Sequence, residues 1–318
     1  MIDFDTATLP WIDRDDYTSV LAEKRRTGAL SDTDSELTER WSRDGYLHLP
    51  GLIDQADVDA LLAAYERAWE TRPEVKLLVE GKGVVPFAEL EPRAELVTRH
   101  YRVMDIQDTE STARDLILHA EVQRVLRLLL DDTPVAMQSL FFEYGSEQHL
   151  HQDFPYVQAQ ILSHLIGCWI ACEDADLDNG ALFYYPGSHR LPKHQFPNSG
   201  LIYDGSDDRQ VVDFEHHLER SAAEAGLERQ VFEAKKGDVL FWHAALVHGG
   251  SPAAVPDQRR RSLVVHYSSK TAYPRDRRTP NVAPKVLARN GGELYLPTTP
   301  DRSLLGRVKG KLSSLLRG

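Results

Sequence analysis

The first third of the chain places its apolar residues at helical spacing. The stretch "SELTERWSRDGYLHLPGLIDQADVDALLAAYERAWE" predicts a helix, the short strand "GYLHLPGL" and a second helix. Asp54 is a suitable N-cap for the second helix, in which Leu61, Leu62 and Tyr65 recur at helical intervals. The later stretch "TARDLILHAEVQRVLRLLLDD" predicts one more amphipathic helix. Its apolar side is formed by Leu118, Val122, Val125 and Leu129.

From about residue 134 the pattern changes to short runs rich in β-branched and aromatic residues. Gly, Pro, Asn or Asp bounds each run, which is typical of strands joined by turns. The runs are "PVAMQSLFFEYG", "HLIGCWIACEDA", "GALFYYPGS", "GDVLFWHAALVHGG" and "RRRSLVVHYSS". Several such strands in series predict a β sandwich or a jelly roll with helical support.

These patterns divide the chain into three parts. Residues 1–35 are polar and weakly patterned and predict a partly ordered arm, whereas residues 36–270 predict a single domain. Within that domain, residues 190–232 form a polar insertion with a predicted helix, "DFEHHLERSAAEAG", and insertions of this length often act as lids. Residues 271–318 form an extension that ends in the basic amphipathic segment "SLLGRVKGKLSSLLRG". Such a segment can contact a membrane surface, a partner or its own domain.

Charge and cysteine content indicate which partners and which cellular compartment to expect. The 49 acidic residues outnumber the 37 lysines and arginines, and the formal net charge of −12 argues against a broad nucleic-acid surface. Cys168 and Cys172 would lie ~13 Å apart in a strand, too far for a disulfide, and predict free thiols in a reducing compartment. No secretory leader and no apolar run of membrane-spanning length is visible in the sequence, so we expect a cytoplasmic protein.

The stretch "EQHLHQDFPY" places His149, His151 and Asp153 at alternate positions. Residues i and i+2 of a strand point to the same side, so His151 and Asp153 can occupy adjacent corners of one coordination face. A third imidazole from "GDVLFWHAALVHGG", which carries His243 and His248, would complete the two-histidine, one-carboxylate triad of non-haem Fe(II) oxygenases. A hydrolytic zinc site uses the same ligand types and remains an alternative.

Three segments together, "HQD", "NGALFYYPGSHR" and "GD…FWH…VHG", resemble the phytanoyl-CoA dioxygenase family of Fe(II)- and 2-oxoglutarate-dependent oxygenases. The resemblance runs from about "DGYLHLPGL" to "VVHYSS" and implies a double-stranded β-helix (jelly-roll, cupin-like) core. It further implies that His151, Asp153 and His248 bind the metal. His243 then matches a histidine that is not a ligand, and His149 is expected to hydrogen-bond near the ligands. Asp153 argues against the related halogenases, which have a small residue at that corner.

The resemblance also implies contacts to 2-oxoglutarate. The family's arginine for the distal carboxylate falls on Arg260 when counted back from His266. The apolar alternation of "QRRRSLVVHYS" would instead turn Arg261 inward, so Arg261 is kept as the alternative. Trp169 matches a tryptophan that packs beside 2-oxoglutarate, and Gln138 is expected to hydrogen-bond either 2-oxoglutarate or the substrate.

The function implied is a dioxygenase that uses Fe(II), 2-oxoglutarate and dioxygen to hydroxylate an aliphatic C–H bond, with release of succinate and CO2. The expected substrate is a small molecule or an acyl-type compound, and the aromatic residues that can line its pocket are Phe142, Tyr156, Phe183 and Tyr185. Two alternative functions belong to other classes of protein. One is a non-catalytic, cupin-like binding or sensing module, and the other is a zinc-dependent hydrolase on a jelly roll.

Overall fold

Strands account for most of the regular secondary structure in the described part of the second half of the chain. The computed structural model describes residues 3–79, 83–89, 101–197, 199–255 and 258–298. The strands of these residues are β1 (Tyr46–Leu49), β2 (Lys76–Val79), β3 (Gly83–Pro86), β4 (Tyr101–Met104), β5 (Pro134–Phe142), β6 (Leu165–Ala171), β7 (Leu182–Tyr184), β8 (Gln230–Phe232), β9 (Val239–His243), β10 (His248–Gly250), β11 (Ser262–Ser269), β12 (Lys285–Arg289) and β13 (Gly292–Leu296).

The helices precede the strands of the core or are inserted among them. They are α1 (Tyr17–Arg26), α2 (Asp32–Asp44), α3 (Gln55–Thr71), α4 (Ser111–Ile117), α5 (Ala120–Leu130) and α6 (Arg209–Glu224). Asp54 lies at the N-cap of α3 as predicted, although its side chain makes no capping hydrogen bond. No helix among the described residues is both long and apolar enough to cross a bilayer.

Two sheets face each other and form the core. The larger sheet has the strand order β1-β9-β6-β11-β5-β4-β2-β3, and β13, paired with β12, adds to it through a parallel contact with β5. The smaller sheet has the order β10-β7-β8. Aromatic and aliphatic side chains fill the space between the sheets, among them Phe142, Trp169, Tyr184, Phe232 and Trp242.

Strand β11 shows how the larger sheet is buried on both faces. Leu263, Val265 and Tyr267 belong to the cluster that packs the sheet against the helices, whereas Val264 belongs to the cluster between the two sheets. Because successive side chains of a strand point to opposite faces, His266 shares the inner side with Val264. The residues expected to line a functional site therefore lie on the less apolar of two buried faces.

The predicted helix over residues 112–132 is two helices. Helix α4 ends at Ile117, and His119 takes an extended conformation before α5 begins at Ala120. The side-chain amide nitrogen of Gln123 donates to the carbonyl oxygen of Ile117 at 2.7 Å, which satisfies a backbone acceptor left by the break. The apolar spacing continues across the break because both helices bury the same side, so periodicity alone does not reveal the interruption.

The N-terminal segment is more ordered than the sequence predicts. It forms short 3₁₀ turns at Thr6–Thr8 and Trp11–Asp13 and then helix α1. Trp11 and Ile12 are buried in the main apolar cluster, and the indole nitrogen of Trp11 donates to the carbonyl oxygen of Leu128 at 3.0 Å. A few buried side chains separated by charged residues do not produce a recognisable period, yet they attach this segment to α5.

The C-terminal extension also joins the sheet. Strands β12 and β13 form a hairpin whose turn residues, Asn290 and Gly291, both have positive φ angles. Leu294 and Tyr295 are buried, so the sheet continues beyond residue 270, where the sequence analysis placed the end of the domain. The predicted basic amphipathic segment lies outside the described residues.

We expect Trp11→Ala to lower the free energy of unfolding by about 3–5 kcal/mol, because a large buried side chain and its hydrogen bond are lost. Chemical denaturation followed by fluorescence measures this change. Val286→Ala is the control, since Val286 is 41% exposed and its truncation should change stability by no more than about 0.5 kcal/mol. If Trp11→Ala lowered the free energy of unfolding by as little as Val286→Ala, the N-terminal segment would contribute little to the stability of the domain.

Candidate metal centre

A pair of backbone hydrogen bonds joins the two segments that carry His151 and His248. The amide of His151 donates to the carbonyl oxygen of His248 at 2.9 Å, and the amide of His248 donates to the carbonyl oxygen of His151 at 3.0 Å. This reciprocal pair is an isolated antiparallel bridge. It sets the two Cα atoms directly opposite each other and fixes the separation of the two imidazoles.

Asp153 completes a cluster of three side chains that can hold a metal ion. Its Oδ1 atom lies 3.6 Å from Nε2 of His151 and 3.8 Å from Nε2 of His248. One ligand atom from each residue lies within 4.8 Å of the others, and within the described ranges no other group of His, Cys, Asp or Glu meets this condition. The predicted triad is therefore brought together in the fold.

The tautomers of both histidines are set by backbone carbonyl groups. Nδ1 of His151 donates to the carbonyl oxygen of His149 at 2.7 Å, and Nδ1 of His248 donates to that of Leu246 at 3.0 Å. Each Nε2 atom is thus left with a lone pair directed toward Asp153. Burial, together with the neighbouring His248, lowers the pKa of His151 to about 4, which keeps its imidazole neutral at neutral pH. Neutral imidazole is the form that binds metals.

Asp153 is oriented by two donors that the sequence analysis did not identify. The indole nitrogen of Trp242 donates to Oδ2 of Asp153 at 2.7 Å, and Nε2 of His266 lies 3.3 Å from the same atom. Burial alone would raise the pKa of Asp153, but His248, His266 and His151 outweigh it and hold that pKa well below its usual range. The carboxylate is therefore ionised, with Oδ2 occupied and Oδ1 facing the imidazoles.

Gly167 makes room for Trp242. A Cβ atom at position 167 would lie 2.1 Å from the indole ring, which is far inside van der Waals contact. The two residues are directly paired across strands β6 and β9. The absence of a side chain at Gly167 thus allows Trp242 to reach Asp153.

The remaining histidines of the two motifs do not face the cluster. The side chain of His149 is 83% exposed and lies 3.5 Å from Glu215, so only its backbone carbonyl contacts a predicted ligand. His243 is buried, and its Nε2 lies 3.2 Å from Oδ2 of Asp13 while its Nδ1 accepts from the amide of Ala245. His243 therefore connects the core to the N-terminal segment.

Arg260 and Arg261 differ sharply in their surroundings. Arg261 donates to Glu173 at 2.5 Å and to Glu66 at 3.1 Å. Arg260 is only 2% exposed, and its Nε and Nη1 atoms are buried without a hydrogen-bond partner among the described residues. Burial lowers the pKa of Arg260 to about 10, so the guanidinium remains charged at neutral pH.

Trp169 lies beside Arg260. The guanidinium carbon is 5.6 Å from the centroid of the indole ring, a distance compatible with a cation–π contact. The indole nitrogen of Trp169 is also buried without a partner among the described residues. Buried donors without acceptors are rare in folded proteins, and here they occur on neighbouring side chains. Together they offer hydrogen-bond donors to an anionic group.

Gln138 and Tyr156 line a cavity of about 470 Å³ whose described lining includes none of the triad residues. The amide nitrogen of Gln138 lies 3.2 Å from Nδ1 of His266, so Gln138 contacts a residue that orients Asp153. The Tyr156 ring is centred 6.4 Å from that of His151. The other three aromatic residues predicted for a pocket are packed in apolar clusters instead, Phe142 between the sheets and Phe183 and Tyr185 beneath the insertion.

The insertion at residues 190–232 contains the predicted helix, which is α6. Phe214 and Leu218 of α6 are buried against a cluster that includes Leu150, one residue before His151. The amide of Tyr203 donates to the carbonyl oxygen of Pro155 at 3.1 Å. The insertion thus packs on the loop that carries two of the triad residues, and its role as a lid stays a prediction.

Comparison with known proteins assigns the chain to a family. The family model described as phytanoyl-CoA dioxygenase (PhyH) matches residues 41–262, more than half of the chain. The chain therefore belongs to the phytanoyl-CoA dioxygenase family. The peroxisomal phytanoyl-CoA dioxygenase of Bos taurus is 26% identical over 225 residues, which cover 66% of this chain and 61% of that protein. The chain thus spans somewhat less than two thirds of this relative's length.

Solved structures confirm the predicted fold class. The epimerase SnoN in complex with Fe3+, α-ketoglutarate and nogalamycin RO has a TM-score of 0.57 at 22% identity, with 85% of this chain and 97% of SnoN covered. EctD from S. alaskensis with 2-oxoglutarate and 5-hydroxyectoine has a TM-score of 0.55 at 18% identity, with 83% and 88% covered. At these identities the likeness concerns the fold, and it confirms the jelly-roll core.

We expect His151→Ala, Asp153→Ala and His248→Ala each to abolish iron binding, because each removes one corner of the triad. His149→Ala and His243→Ala should retain iron, since neither side chain faces the cluster. Metal analysis of anaerobically reconstituted protein, with circular dichroism to verify folding, makes the measurement. Loss of iron from a folded His243→Ala variant with retention in His248→Ala would refute the assignment of the third ligand.

Proposed function

We propose that the protein is an Fe(II)- and 2-oxoglutarate-dependent dioxygenase that hydroxylates an aliphatic C–H bond of a small molecule or an acyl-type substrate. Family membership supports the oxygenase class. The donor set supports the metal, because two imidazoles and one carboxylate are the ligands of non-haem Fe(II) oxygenases. A bound iron would have further coordination positions for the cosubstrate and for dioxygen.

Arg260 is the observation that carries the proposal. A charged guanidinium this deeply buried is costly unless a counter-ion accompanies it. The distal carboxylate of 2-oxoglutarate would supply that counter-ion and accept from the donors of Arg260 that have no partner among the described residues. A hydrolytic zinc site has no comparable need for a buried arginine and a neighbouring indole donor. The geometry therefore favours a dicarboxylate cosubstrate over the hydrolase alternative.

Each residue then has a defined task. His151, Asp153 and His248 would hold the iron, and Arg260 with the indole nitrogen of Trp169 would hold the far end of 2-oxoglutarate. Iron and 2-oxoglutarate, when bound, would supply the oxidising power, with succinate and CO2 as the products of the cosubstrate. The apolar packing between the two sheets would keep water away from the ion pair between Arg260 and the distal carboxylate of 2-oxoglutarate. The exclusion of water would strengthen the electrostatic attraction between them.

Oxygen uptake and succinate formation test the proposed function directly. Protein purified anaerobically and loaded with Fe(II) should consume oxygen and form succinate only when 2-oxoglutarate is present, and Asp153→Ala should do neither. A candidate substrate that is hydroxylated gains the mass of one oxygen atom, which separates hydroxylation from an epimerisation on the same fold. Zinc as the resident metal, with no 2-oxoglutarate-dependent oxygen uptake after loading with Fe(II), would instead support the hydrolase alternative.

We expect Arg260→Ala to weaken 2-oxoglutarate binding by about 2–5 kcal/mol, because a buried, bidentate carboxylate pair is lost. Anaerobic calorimetry of the iron-loaded protein measures this loss, and metal analysis verifies that iron remains bound.

Arg261→Ala is the matched control for Arg260→Ala. It removes an arginine one residue away whose partners are Glu173 and Glu66, so it should leave the affinity for 2-oxoglutarate nearly unchanged. The opposite pattern, a silent Arg260→Ala and a damaging Arg261→Ala, would show that Arg261 is the anchor.

A further inference from the structure

The turn between β9 and β10 contacts both segments of the triad through its main chain. The carbonyl oxygen of Ala244 accepts from the amide of Asp153 at 3.1 Å and from that of Phe154 at 3.4 Å. The carbonyl oxygen of Leu246 accepts from Nδ1 of His248 at 3.0 Å. Two carbonyl groups of one turn thus hold the backbone at one predicted ligand and the imidazole of another. A displacement of this turn would therefore change the geometry of the metal centre.

His243 connects this turn to the beginning of the chain. The carbonyl oxygen of His243 accepts from the amide of Leu246 at 2.8 Å, which closes the turn. Nδ1 of His243 accepts from the amide of Ala245 at 3.0 Å, so its Nε2 bears the hydrogen that is donated to Oδ2 of Asp13, 3.2 Å away. The side chains of His243 and Asp13 are only 5% and 14% exposed. Asp13 therefore fixes the residue from which the turn starts.

A second contact joins the beginning of the chain to the residue that follows Asp153. The ring of Phe4 meets that of Phe154 edge to face, with the ring centroids 5.0 Å apart. Phe154 is 1% exposed and belongs to an apolar cluster with Ala244 and Ala245 of the same turn. Phe4 thus contacts the metal-binding loop directly, whereas Asp13 reaches it through the turn.

A buried lysine holds Phe4 in this position. Lys193 is 7% exposed, and its ammonium nitrogen lies 5.2 Å from the centre of the Phe4 ring and 3.7 Å from Oδ1 of Asp3. The same nitrogen donates to the carbonyl oxygens of His189 at 3.0 Å and Leu191 at 2.9 Å. A buried ammonium group is costly unless it has partners. Residues 3 and 4 supply two of them, a carboxylate and an aromatic face, so Lys193 favours the docked arrangement of these residues.

We propose that residues 3–13 are a positioning segment for the metal centre, docked at one end by Phe4 and at the other by Asp13. Through Phe154 and the turn after β9, the docked segment keeps Asp153 and His248 in the arrangement that binds a metal ion. Docking and metal binding are then coupled, and each favours the other by the same factor. Phe4 and Asp13 are positioning residues, since both act through other residues. This inference rests on the proposed function in so far as the triad binds a metal ion.

Cobalt binding tests the positioning function without any need for turnover. Phe4→Ala should weaken Co(II) binding about 3- to 10-fold, because the aromatic pair with Phe154 is lost. Asp13→Ala should weaken it about 5- to 20-fold, because Nε2–H of His243 is then buried without its acceptor. Asp13→Asn should stay within about 2-fold of the wild type, because its amide oxygen can accept the same hydrogen bond. Losses of this size still allow iron to bind when the metal is in excess.

The absorption spectrum of bound Co(II) separates positioning from stability. Its d–d bands depend on the ligand geometry, so they should change in Phe4→Ala and Asp13→Ala at saturating metal and remain as in the wild type in Asp13→Asn. Leu294→Ala is the matched control, because Leu294 is 1% exposed and lies in β13. This variant should lower the free energy of unfolding and leave both the Co(II) affinity and the spectrum unchanged.

Hydrogen exchange followed by mass spectrometry tests the coupling in the other direction. Co(II) should slow the amide exchange of residues 3–13 in the wild type at least about 3-fold, because the metal favours the docked segment by the factor that docking contributes to metal binding. Helix α1 is the control, since it comes next in the chain and its Tyr17 bonds to Thr38 of α2 at 3.4 Å. Exchange in α1 should not respond to the metal.

The outcomes separate the inference from the proposed function. Wild-type protein that binds no Co(II) would refute the metal site and with it the proposed function. Wild-type affinity and spectrum in both Phe4→Ala and Asp13→Ala would overturn the positioning role and leave the proposed function intact. Equal losses in Leu294→Ala would assign the effect to stability and overturn that role as well. Exchange of residues 3–13 that ignores Co(II), or that slows no more than exchange in α1, would overturn the coupling.

Discussion

The reciprocal backbone hydrogen bonds between His151 and His248 are the constraint on which the metal centre depends. Together with the hydrogen bond from the amide of Gly250 to the carbonyl oxygen of Gln148, they join the loop to the smaller sheet through main-chain atoms, which have far less freedom than side chains. Asp153 lies in a bend that follows this bridge, rather than in a strand as the sequence analysis expected, and its amide donates to the carbonyl oxygen of Ala244 at 3.1 Å. Backbone contacts of this loop thus set the positions of the ligands, and the surrounding residues orient their side chains.

Burial of both sheet faces explains how the interior can contain charge. The outer face of the larger sheet packs against the helices and supplies most of the apolar contacts that stabilise the domain. The space on the inner side of the sheet can therefore include Arg260 and Asp153 from neighbouring loops and His266 from β11 without loss of the core. Their polar groups are satisfied in pairs or are directed at positions where anionic ligands would bind. This division separates the residues that stabilise the fold from those that would carry out the chemistry.

Much of the site was predictable because its signals are local. The spacing of His151 and Asp153 and the resemblance of "GD…FWH…VHG" identified the triad, and the short bounded runs predicted the jelly roll. The choice between Arg260 and Arg261 was left open, because an apolar alternation does not reveal which of two buried faces holds the site. The structure distinguishes the two arginines, because Arg261 forms ion pairs with Glu173 and Glu66.

Trp242 and His266 were missed for a different reason. Their contact with Asp153 depends on the pairing of strands distant in sequence, and no short motif encodes it. The order of the N-terminal segment was missed because a few buried residues among charged ones do not form a period. In both cases the information lies in tertiary packing, where single-sequence patterns carry little weight.

The contact between Gly167 and Trp242 links two positions that look unrelated in sequence. Any side chain at position 167 must displace the indole, and the indole is one of the two donors to Oδ2 of Asp153. Residue 167 can therefore become larger only if residue 242 becomes smaller, and a smaller residue there leaves His266 as the remaining side-chain donor to Asp153. A glycine buried in a central strand thus decides whether the carboxylate is oriented by two donors or by one.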